Sequence, residues 1–191
     1  HRANPVLPVS IFSRPPSEAS WIASAHERMF LPLIQRLIPD IVDWHKPFSG
    51  AGRNLMFVSI RKDSPQQARR VLNALWGLDY FEPSKLIVVV DADVNVQRED
   101  EVWFAVSSHA HPGRDVIFNQ GPAGMNDHAT PVRGVGHAMG IDATRKLTDE
   151  GHPREWPTVL QHSDELIARI RERWSEFGLD RTGRSNPDHR R

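Results

Sequence analysis

The sequence contains no cysteine, which excludes a disulfide framework, a thiolate zinc site, an iron–sulfur cluster and a cysteine nucleophile. It also lacks an excess of either charge, since 24 lysines and arginines balance 24 aspartates and glutamates. No overall field would therefore attract nucleic acid or an anionic membrane. No apolar run approaches the roughly 20 residues of a membrane-spanning helix, and no signal peptide is recognisable. These absences predict a cytoplasmic protein with no membrane span and no nucleic-acid partner.

What the chain does contain is sufficient for a packed domain. It has 191 residues, of which 39% are hydrophobic and 25% are charged, a composition typical of globular proteins. A chain of this length buries roughly 70% of its unfolded surface on folding. We expect one domain over residues 1–179, with a proline-rich extended segment over 1–16. A polar, arginine-rich and disordered tail is expected over 180–191.

The middle of the sequence alternates strand and helix patterns. A short apolar run over 55–60 fits a buried strand, and the run LIVVV over 86–90 fits a strand covered on both faces. Residues 99–108 fit a short helix, and residues 115–118 fit a further strand. This order predicts an α/β fold with a mostly parallel sheet flanked by helices, long loops and a C-terminal helix.

Two helices carry clear start and stop signals. Ser64, with Gln67 three residues later, has the pattern of a capping box, and Gly77 is expected to end that helix. Its apolar stripe consists of Ala68, Val71, Leu72, Leu75 and Trp76. The last helix is expected to run from a cap at Ser163 to Gly178. Its apolar residues, whose spacing suits packing against another helix, are Ile167, Ile170, Trp174 and Phe177.

Two further regions carry weaker patterns. A helical repeat of apolar residues begins after Ser17, and Pro32 is expected to break or kink it. Residues 119–157 are rich in glycine, proline, asparagine and histidine, which predicts long ordered loops. Loops of this kind often carry the functional residues of a domain.

The sharpest chemical candidates are Asp91 and Asp93, directly after the strand over 86–90. In open α/β sheets ligands lie at the carboxyl ends of strands, where carboxylates hold magnesium or a ribose. The alternative is that both carboxylates accept backbone N–H groups and cap the following turn. We favour this alternative, because a divalent cation needs more oxygen ligands than this stretch offers.

Histidines form the second set of candidates. A zinc or iron site needs two or three imidazoles with a carboxylate, and the residues available are His109, His111, His128, His137, Asp115 and Asp127. No helical His-x-x-x-His spacing fixes their geometry, so no metal site is predicted. Gly134 and Gly136 do not open a helix as a dinucleotide loop would. A serine–histidine triad at 107–109 is unsupported, because adjacent helical residues do not face each other.

Three stretches, read in order, resemble one family. They are KLIVVVDADVN over 85–95, HPGRDV over 111–116 and MGIDAT over 139–144. Their order and spacing are typical of the C-terminal domain of UbiD-type decarboxylases, the 3-octaprenyl-4-hydroxybenzoate carboxy-lyase family. Shorter matches support the resemblance at 14–18, 39–43, 58–62 and 174–179. The resemblance extends over nearly all of residues 1–179.

The resemblance implies a reversible, non-oxidative decarboxylation of an aromatic or α,β-unsaturated carboxylic acid. The family uses prenylated FMN with manganese and potassium, and most of the chemistry belongs to the cofactor. The family's Glu-Arg-Glu network and its cofactor and metal ligands lie upstream of the matched region, so no catalytic residue or metal ligand is expected here. We expect the last domain of a longer homo-oligomeric enzyme, inactive without its N-terminal flavin-binding domain or subunit. The resemblance also implies that the C-terminal helix packs on a neighbouring subunit or domain.

The resemblance also implies which residues reach the substrate. The stretch GPAGMNDH over 121–128 is similar to the family segment that does so, and Ala123 and Met125 are expected to face the pocket. Asn4 and Pro5 are expected to lie nearest the flavin and its substrate. One alternative is an exposed loop with Met125 buried for packing. Two alternative functions are a non-catalytic assembly subunit and, ranked last, a metal-dependent hydrolase that uses Asp91, Asp93 and the histidines.

Overall fold

The computed structural model describes residues 18–50, 54–78, 84–124, 127, 129–132, 134–160 and 162–177. The chain divides into two compact units, His1–Arg154 and Glu155–Arg191. The first unit contains the sheet, and the second contains one helix and a 3-10 helix. No helix in the described ranges is both long and apolar enough to cross a membrane.

The first unit is built on a five-stranded sheet with the order β1-β2-β3-β5-β4. The strands are β1 (Ile41–His45), β2 (Leu55–Ile60), β3 (Leu86–Asp91), β4 (Val116–Pro122) and β5 (Val135–Asp142). The three central strands run parallel to one another, and the edge strands β1 and β4 pair antiparallel to their neighbours. The predicted α/β fold with a mostly parallel sheet is confirmed.

Helices cover both faces of this sheet. They are α1 (Glu18–Leu37), α2 (Gln67–Gly77), α3 (Glu99–His109) and the short α4 (Pro112–Asp115). One core joins α1 and α2 to Ile87 and Val89, and the other joins α3 to Val88 and Val90. Because successive residues of a strand point to opposite faces, β3 contributes to both cores. The predicted burial of this strand on both faces is confirmed.

The helix signals were partly correct. All five residues of the predicted apolar stripe of α2 are buried, and the helix ends at Gly77 as expected. It begins three residues after the predicted cap, however, and the side-chain oxygen of Gln67 accepts the N–H of Ser64 at 3.1 Å. In α1 the helix continues through Pro32 to Leu37, so the predicted break is wrong. Pro32 is exposed, while Ile34 after it is buried in the core.

The prediction of long loops over 119–157 is wrong where these residues form strands. β4 extends to Pro122, and β5 runs between β3 and β4. An ideal Cβ on Gly140 of β5 would lie 2.6 Å from a Leu72 methyl carbon and 3.0 Å from the Trp76 ring. The strand therefore needs glycine beneath α2, and glycine is a residue that strand propensity disfavours.

The second unit contains α5 (Asp164–Glu172) and a 3-10 helix over Trp174–Phe177. The hydroxyl oxygen of Ser163 accepts the N–H of Leu166 at 3.3 Å, so the predicted cap is confirmed. The expected single helix is interrupted, because α5 ends at Glu172. Gly178, the extended segment over 1–16 and the tail over 180–191 lie outside the described residues.

Candidate functional site

The carboxyl ends of the three parallel strands meet at one edge of the sheet, where Asp91 ends β3 and Asp93 follows it. Both carboxylates bind Arg145. Its Nε lies 3.1 Å from Asp91 and its Nη2 lies 2.7 Å from both carboxylate oxygens of Asp93. The backbone N–H of Arg145 also donates to Asp91 at 2.8 Å. Asp91 thus accepts a backbone N–H, as the favoured alternative predicted, but from the segment after β5 instead of its own turn.

A buried network lies beside this ion pair. Lys62 Nζ lies 2.5 Å from Glu150 Oε2 and donates to the hydroxyl of Thr144 at 3.0 Å. The side chains of Lys62 and Glu150 are 3% and 1% exposed. Thr144 in turn donates to Asp142 at 2.6 Å. The segment that follows β5 is therefore tied to the end of β2 by charged side chains with little exposure to solvent.

A second buried cation, Lys146, completes the network. Its Nζ lies 3.0 Å from Asp142 and 3.6 Å from Asp115. Asp115 also receives two hydrogen bonds from Arg114, at 2.8 and 2.9 Å. Every buried carboxylate named here faces a cation, so these groups fix the loops at this edge and leave no free general base among them.

Two of these carboxyls have lowered pKa values. Burial raises the pKa of Asp115, but the hydrogen bonds from Arg114 and from the N–H of His111 outweigh it. Burial likewise opposes ionisation of Glu150, and the hydrogen bonds from Lys62 and from backbone N–H groups lower its pKa overall. Both groups therefore bind protons less readily in the folded chain than in the unfolded chain.

We expect this network to make the fold acid-sensitive. The unfolded chain binds more protons wherever a folded pKa is lowered, so these carboxyls contribute stability above their unfolded pKa values, about 4. That contribution is lost as the pH falls through the folded pKa values. Urea unfolding at pH 6, 5, 4 and 3 measures the effect. Asp115→Asn should show a shallower decline than the wild type, and the exposed control Asp149→Asn should not; identical slopes would contradict the assignment.

The three candidate histidines that the structure describes, His109, His111 and His137, do not form a metal-binding group with carboxylates. His109 Nδ1 lies 3.2 Å from the carbonyl oxygen of Ala143, and burial lowers the pKa of this imidazole. His111 and His137 are exposed, and His128 lies outside the described residues. In the part of the chain that the structure describes, no group of three or more histidines and carboxylates could hold a metal ion. The described residues therefore give the metal-dependent hydrolase no support.

The serines beside His109 also have other partners. Ser107 donates to the carbonyl of Trp103 at 2.8 Å, and Ser108 donates to that of Phe104 at 2.7 Å. Both hydroxyls thus bond back to their own helix.

Ala123, the one residue of the expected substrate pocket that the structure describes, lies at the opposite edge of the sheet. β4 ends at Pro122, which pairs with Val135 at the start of β5. β5 extends beyond the amino end of β3, because its Met139 is the residue paired with Leu86. Ala123 follows β4, and its N–H donates to the carbonyl of Gly134 at 3.0 Å. An ideal Cβ on Gly136 would lie 3.1 Å from the Ala123 side chain. Ala123 therefore packs closely over a glycine.

The described part of this loop offers a small apolar surface. Ala123 is half-buried, and Gly124 beside it is buried. Neither residue carries a nucleophile or a base, so this surface can shape a pocket but cannot itself transfer a proton. Met125, Asn4 and Pro5 lie outside the described residues, and their placement near a substrate stays a prediction.

Two kinds of sequence comparison identify relatives. The family model described as the 3-octaprenyl-4-hydroxybenzoate carboxy-lyase C-terminal domain matches residues 20–143. An uncharacterized protein of Archaeoglobus fulgidus is 41% identical over 178 residues, which cover 93% of this chain and 37% of that protein. An uncharacterized protein of Aquifex aeolicus is 43% identical over 179 residues, which cover 94% and 37%. This chain thus spans 37% of the length of both relatives.

Solved structures share the fold. The UbiD-class enzyme HmfF from Pelotomaculum thermopropionicum, in complex with FMN, is 28% identical with a TM-score of 0.59, over 72% of this chain and 30% of that chain. The closed form of Sedimentibacter hydroxybenzoicus vanillic acid decarboxylase is 25% identical with a TM-score of 0.61, over 77% and 30%. The motifs, the fold and the family-model match agree: this chain belongs to the UbiD C-terminal domain family.

Proposed function

We propose that this chain is the C-terminal domain of a longer enzyme that decarboxylates aromatic or α,β-unsaturated carboxylic acids reversibly and without oxidation. The observation that carries the proposal is the family-model match over residues 20–143. The share of the relatives that this chain spans, 37%, supports a role as one part of a longer protein. In that protein this domain would form one wall of the substrate pocket and contribute to a homo-oligomer.

The pocket wall would consist of Ala123, Met125, Asn4 and Pro5. Support for Ala123 comes from its position at the end of β4, where the N–H bond to Gly134 and the close contact over Gly136 fix it. A small side chain held in this way leaves room for a flat acid while excluding water from that side. We assign no catalytic residue to this chain, because its part is to orient the substrate.

The cofactor of the longer enzyme would be prenylated FMN, with manganese and potassium. HmfF structures contain FMN or prenylated FMN, which supports a flavin. The residues described here do not fit a manganese site, because no group of three or more histidines and carboxylates could hold a metal. The carboxylates of Asp91, Asp142 and Glu150 are occupied by Arg145, Lys146 and Lys62. We therefore place the metal ligands outside this chain and derive no step through them.

The flavin would supply the chemistry that breaks the bond to the carboxyl carbon, and this domain would shape one side of the substrate pocket. This division of roles predicts that the isolated chain has no activity of its own. The alternative, a separate non-catalytic assembly subunit of the same fold, would make the same chain inactive even beside a flavin-binding partner.

Isotope exchange between labelled carbon dioxide and a carboxylic acid tests the proposal. The isolated chain and the longer product of its gene are each supplied with prenylated FMN and Mn²⁺, with 4-hydroxybenzoate and cinnamate as probes. We expect exchange with the longer protein only. Exchange by the isolated chain, or none by the flavin-loaded longer protein, would contradict the proposal.

A matched pair of variants then tests the wall itself. In the longer protein, Ala123→Leu should raise KM roughly tenfold, because added methylenes fill space that the substrate needs. Ala92→Leu adds the same atoms at an exposed alanine beside Asp91 and should leave KM unchanged. Equal effects of the two variants would remove Ala123 from the pocket.

A further inference from the structure

The loop that carries Ala123 lies between the end of β4 at Pro122 and the start of β5 at Val135. An ion pair joins this loop to the residue that precedes β3. Lys85 Nζ lies 3.1 Å from Asp127 Oδ1. The Asp127 side chain is only 5% exposed, whereas that of Lys85 is 40% exposed. The loop therefore contributes a carboxylate that is almost fully desolvated, and such a charge is retained only where it is paired and hydrogen-bonded.

Asp127 also organises the loop on both of its sides. Its N–H donates to the carbonyl of Gly124 at 2.9 Å, and its carboxylate accepts the N–H of Ala129 at 3.0 Å. Its backbone carbonyl accepts the hydroxyl of Thr130 at 2.9 Å. The methyl carbon of Thr130 would meet an ideal Cβ on Gly136 at 2.5 Å, the same glycine that Ala123 covers. One residue thus connects the Ala123–Gly124 end of the loop to the Thr130 end.

Lys85 is fixed by the two central strands beside it. It directly precedes β3, and its carbonyl accepts the N–H of Met139 in β5 at 2.8 Å. The Lys85–Asp127 pair therefore ties the loop to the parallel part of the sheet. Without the pair, the described contacts of the loop would be those within the β4–β5 hairpin and its own turns.

From these contacts we infer that Lys85 and Asp127 are positioning residues, which hold the Ala123 wall at a fixed place relative to the sheet. The role of that wall rests on the proposed function, but the positioning itself rests on the geometry. In the sequence, Asp127 is a candidate only as a metal ligand. The structure gives it an ammonium partner and two backbone bonds instead.

Amide hydrogen exchange of the 191-residue chain tests the positioning directly. In Lys85→Met and Asp127→Asn, the amides of Ala123, Asp127 and Ala129 should exchange roughly tenfold faster, while those of β2 and β3 keep their protection. Lys85→Arg should restore slow exchange. Arg98→Met is the matched control, because it removes one positive charge from an exposed pair with Asp100. Unchanged loop exchange, or equal acceleration throughout the sheet, would overturn the inference.

Kinetics of the longer protein separates this inference from the proposed function. Lys85→Met should raise KM for 4-hydroxybenzoate or cinnamate about fivefold with little change in kcat, because a displaced wall weakens substrate positioning. Faster loop exchange with an unchanged KM would overturn the role of the pair in the wall. If the flavin-loaded wild type shows no turnover, the proposed function fails, and the exchange experiment still decides whether the pair positions the loop.

Discussion

Gly140→Val is expected to lower the free energy of unfolding by about 3 kcal/mol, the upper end of typical overpacking costs. A Cβ at this position would lie 2.6 and 2.8 Å from the two methyl carbons of Leu72 and 3.0 Å from the Trp76 ring. Both neighbours are buried in the core between α2 and the sheet. Neither can move aside without opening that core, so the added side chain would push the helix from the strand. Urea unfolding followed by tryptophan fluorescence measures the change.

Gly121→Val is the matched control for this substitution. Gly121 lies in the edge strand β4, and the nearest atom to an ideal Cβ there is the Asn119 amide nitrogen at 3.8 Å. Neither glycine has a positive φ, so the two variants differ in packing and not in backbone strain. We expect the control to unfold at nearly the wild-type urea concentration. Equal losses in the two variants would show that the contact with α2 is not the cause.

Breaking the pair of Lys62 and Glu150 is expected to cost about 3 to 5 kcal/mol of unfolding free energy. Both side chains are almost fully buried, and their charged atoms lie 2.5 Å apart. Lys62→Met leaves Glu150 as an uncompensated buried carboxylate, although it keeps the N–H groups of Gln66 and Leu147. The loss should also release the segment after β5 from the end of β2.

A double-mutant cycle identifies the cause. Lys62→Met combined with Glu150→Leu should cost less than Lys62→Met alone, because no buried charge is then left without a partner. The control is Arg98→Met, which removes a cation from an exposed pair with Asp100 and should leave the urea midpoint unchanged. Strictly additive losses in the double mutant would contradict a buried ion pair.

The sequence predicted structure correctly where the apolar pattern of one helix or strand by itself shows which of its residues are buried. The stripe of α2 follows the helical period, and every residue of it is buried. The run over 86–90 is apolar without alternation, and the strand is covered by helices on both faces. In each case the residues themselves carry the periodicity that burial requires.

The sequence did not predict β5, because the glycine at position 140 is required by side chains of α2 that pack against the strand. Gly140 is required by the side chains of Leu72 and Trp76, which are distant in sequence, and a glycine-rich stretch has the local pattern of a loop. β1 was also not predicted as a strand, since its five residues have no regular alternation. In α1 the local signal of Pro32 was outweighed by burial of residues beyond it.

The resemblance to a family pointed to Ala123 as a site residue. It did not point to the ion pairs that hold the surrounding segments in place. Ala123 was singled out because the family segment suggested it, and no pattern in the residues points to Lys85 as the partner of Asp127. The two lie 42 positions apart, and Arg145 lies 54 positions from Asp91. Pairs so distant in sequence can be predicted only when the order of the strands in the sheet is known. That order, β1-β2-β3-β5-β4, includes β5, which the sequence did not predict.

The strand β3 sets the separation of the two polar clusters at opposite edges of the sheet. Lys85, which holds the Ala123 loop, directly precedes it, and Asp91, which binds Arg145, ends it. Six extended residues span about 20 Å, and a paired strand on each side and a core on each face hold this strand in place. Lys85 and Asp91 therefore act as two anchors at opposite ends of one strand, which fixes the distance between the Ala123 loop and Arg145. A residue inserted into this strand would move the two anchors about 3.3 Å further apart and turn the side chains on one side of the insertion to the opposite face.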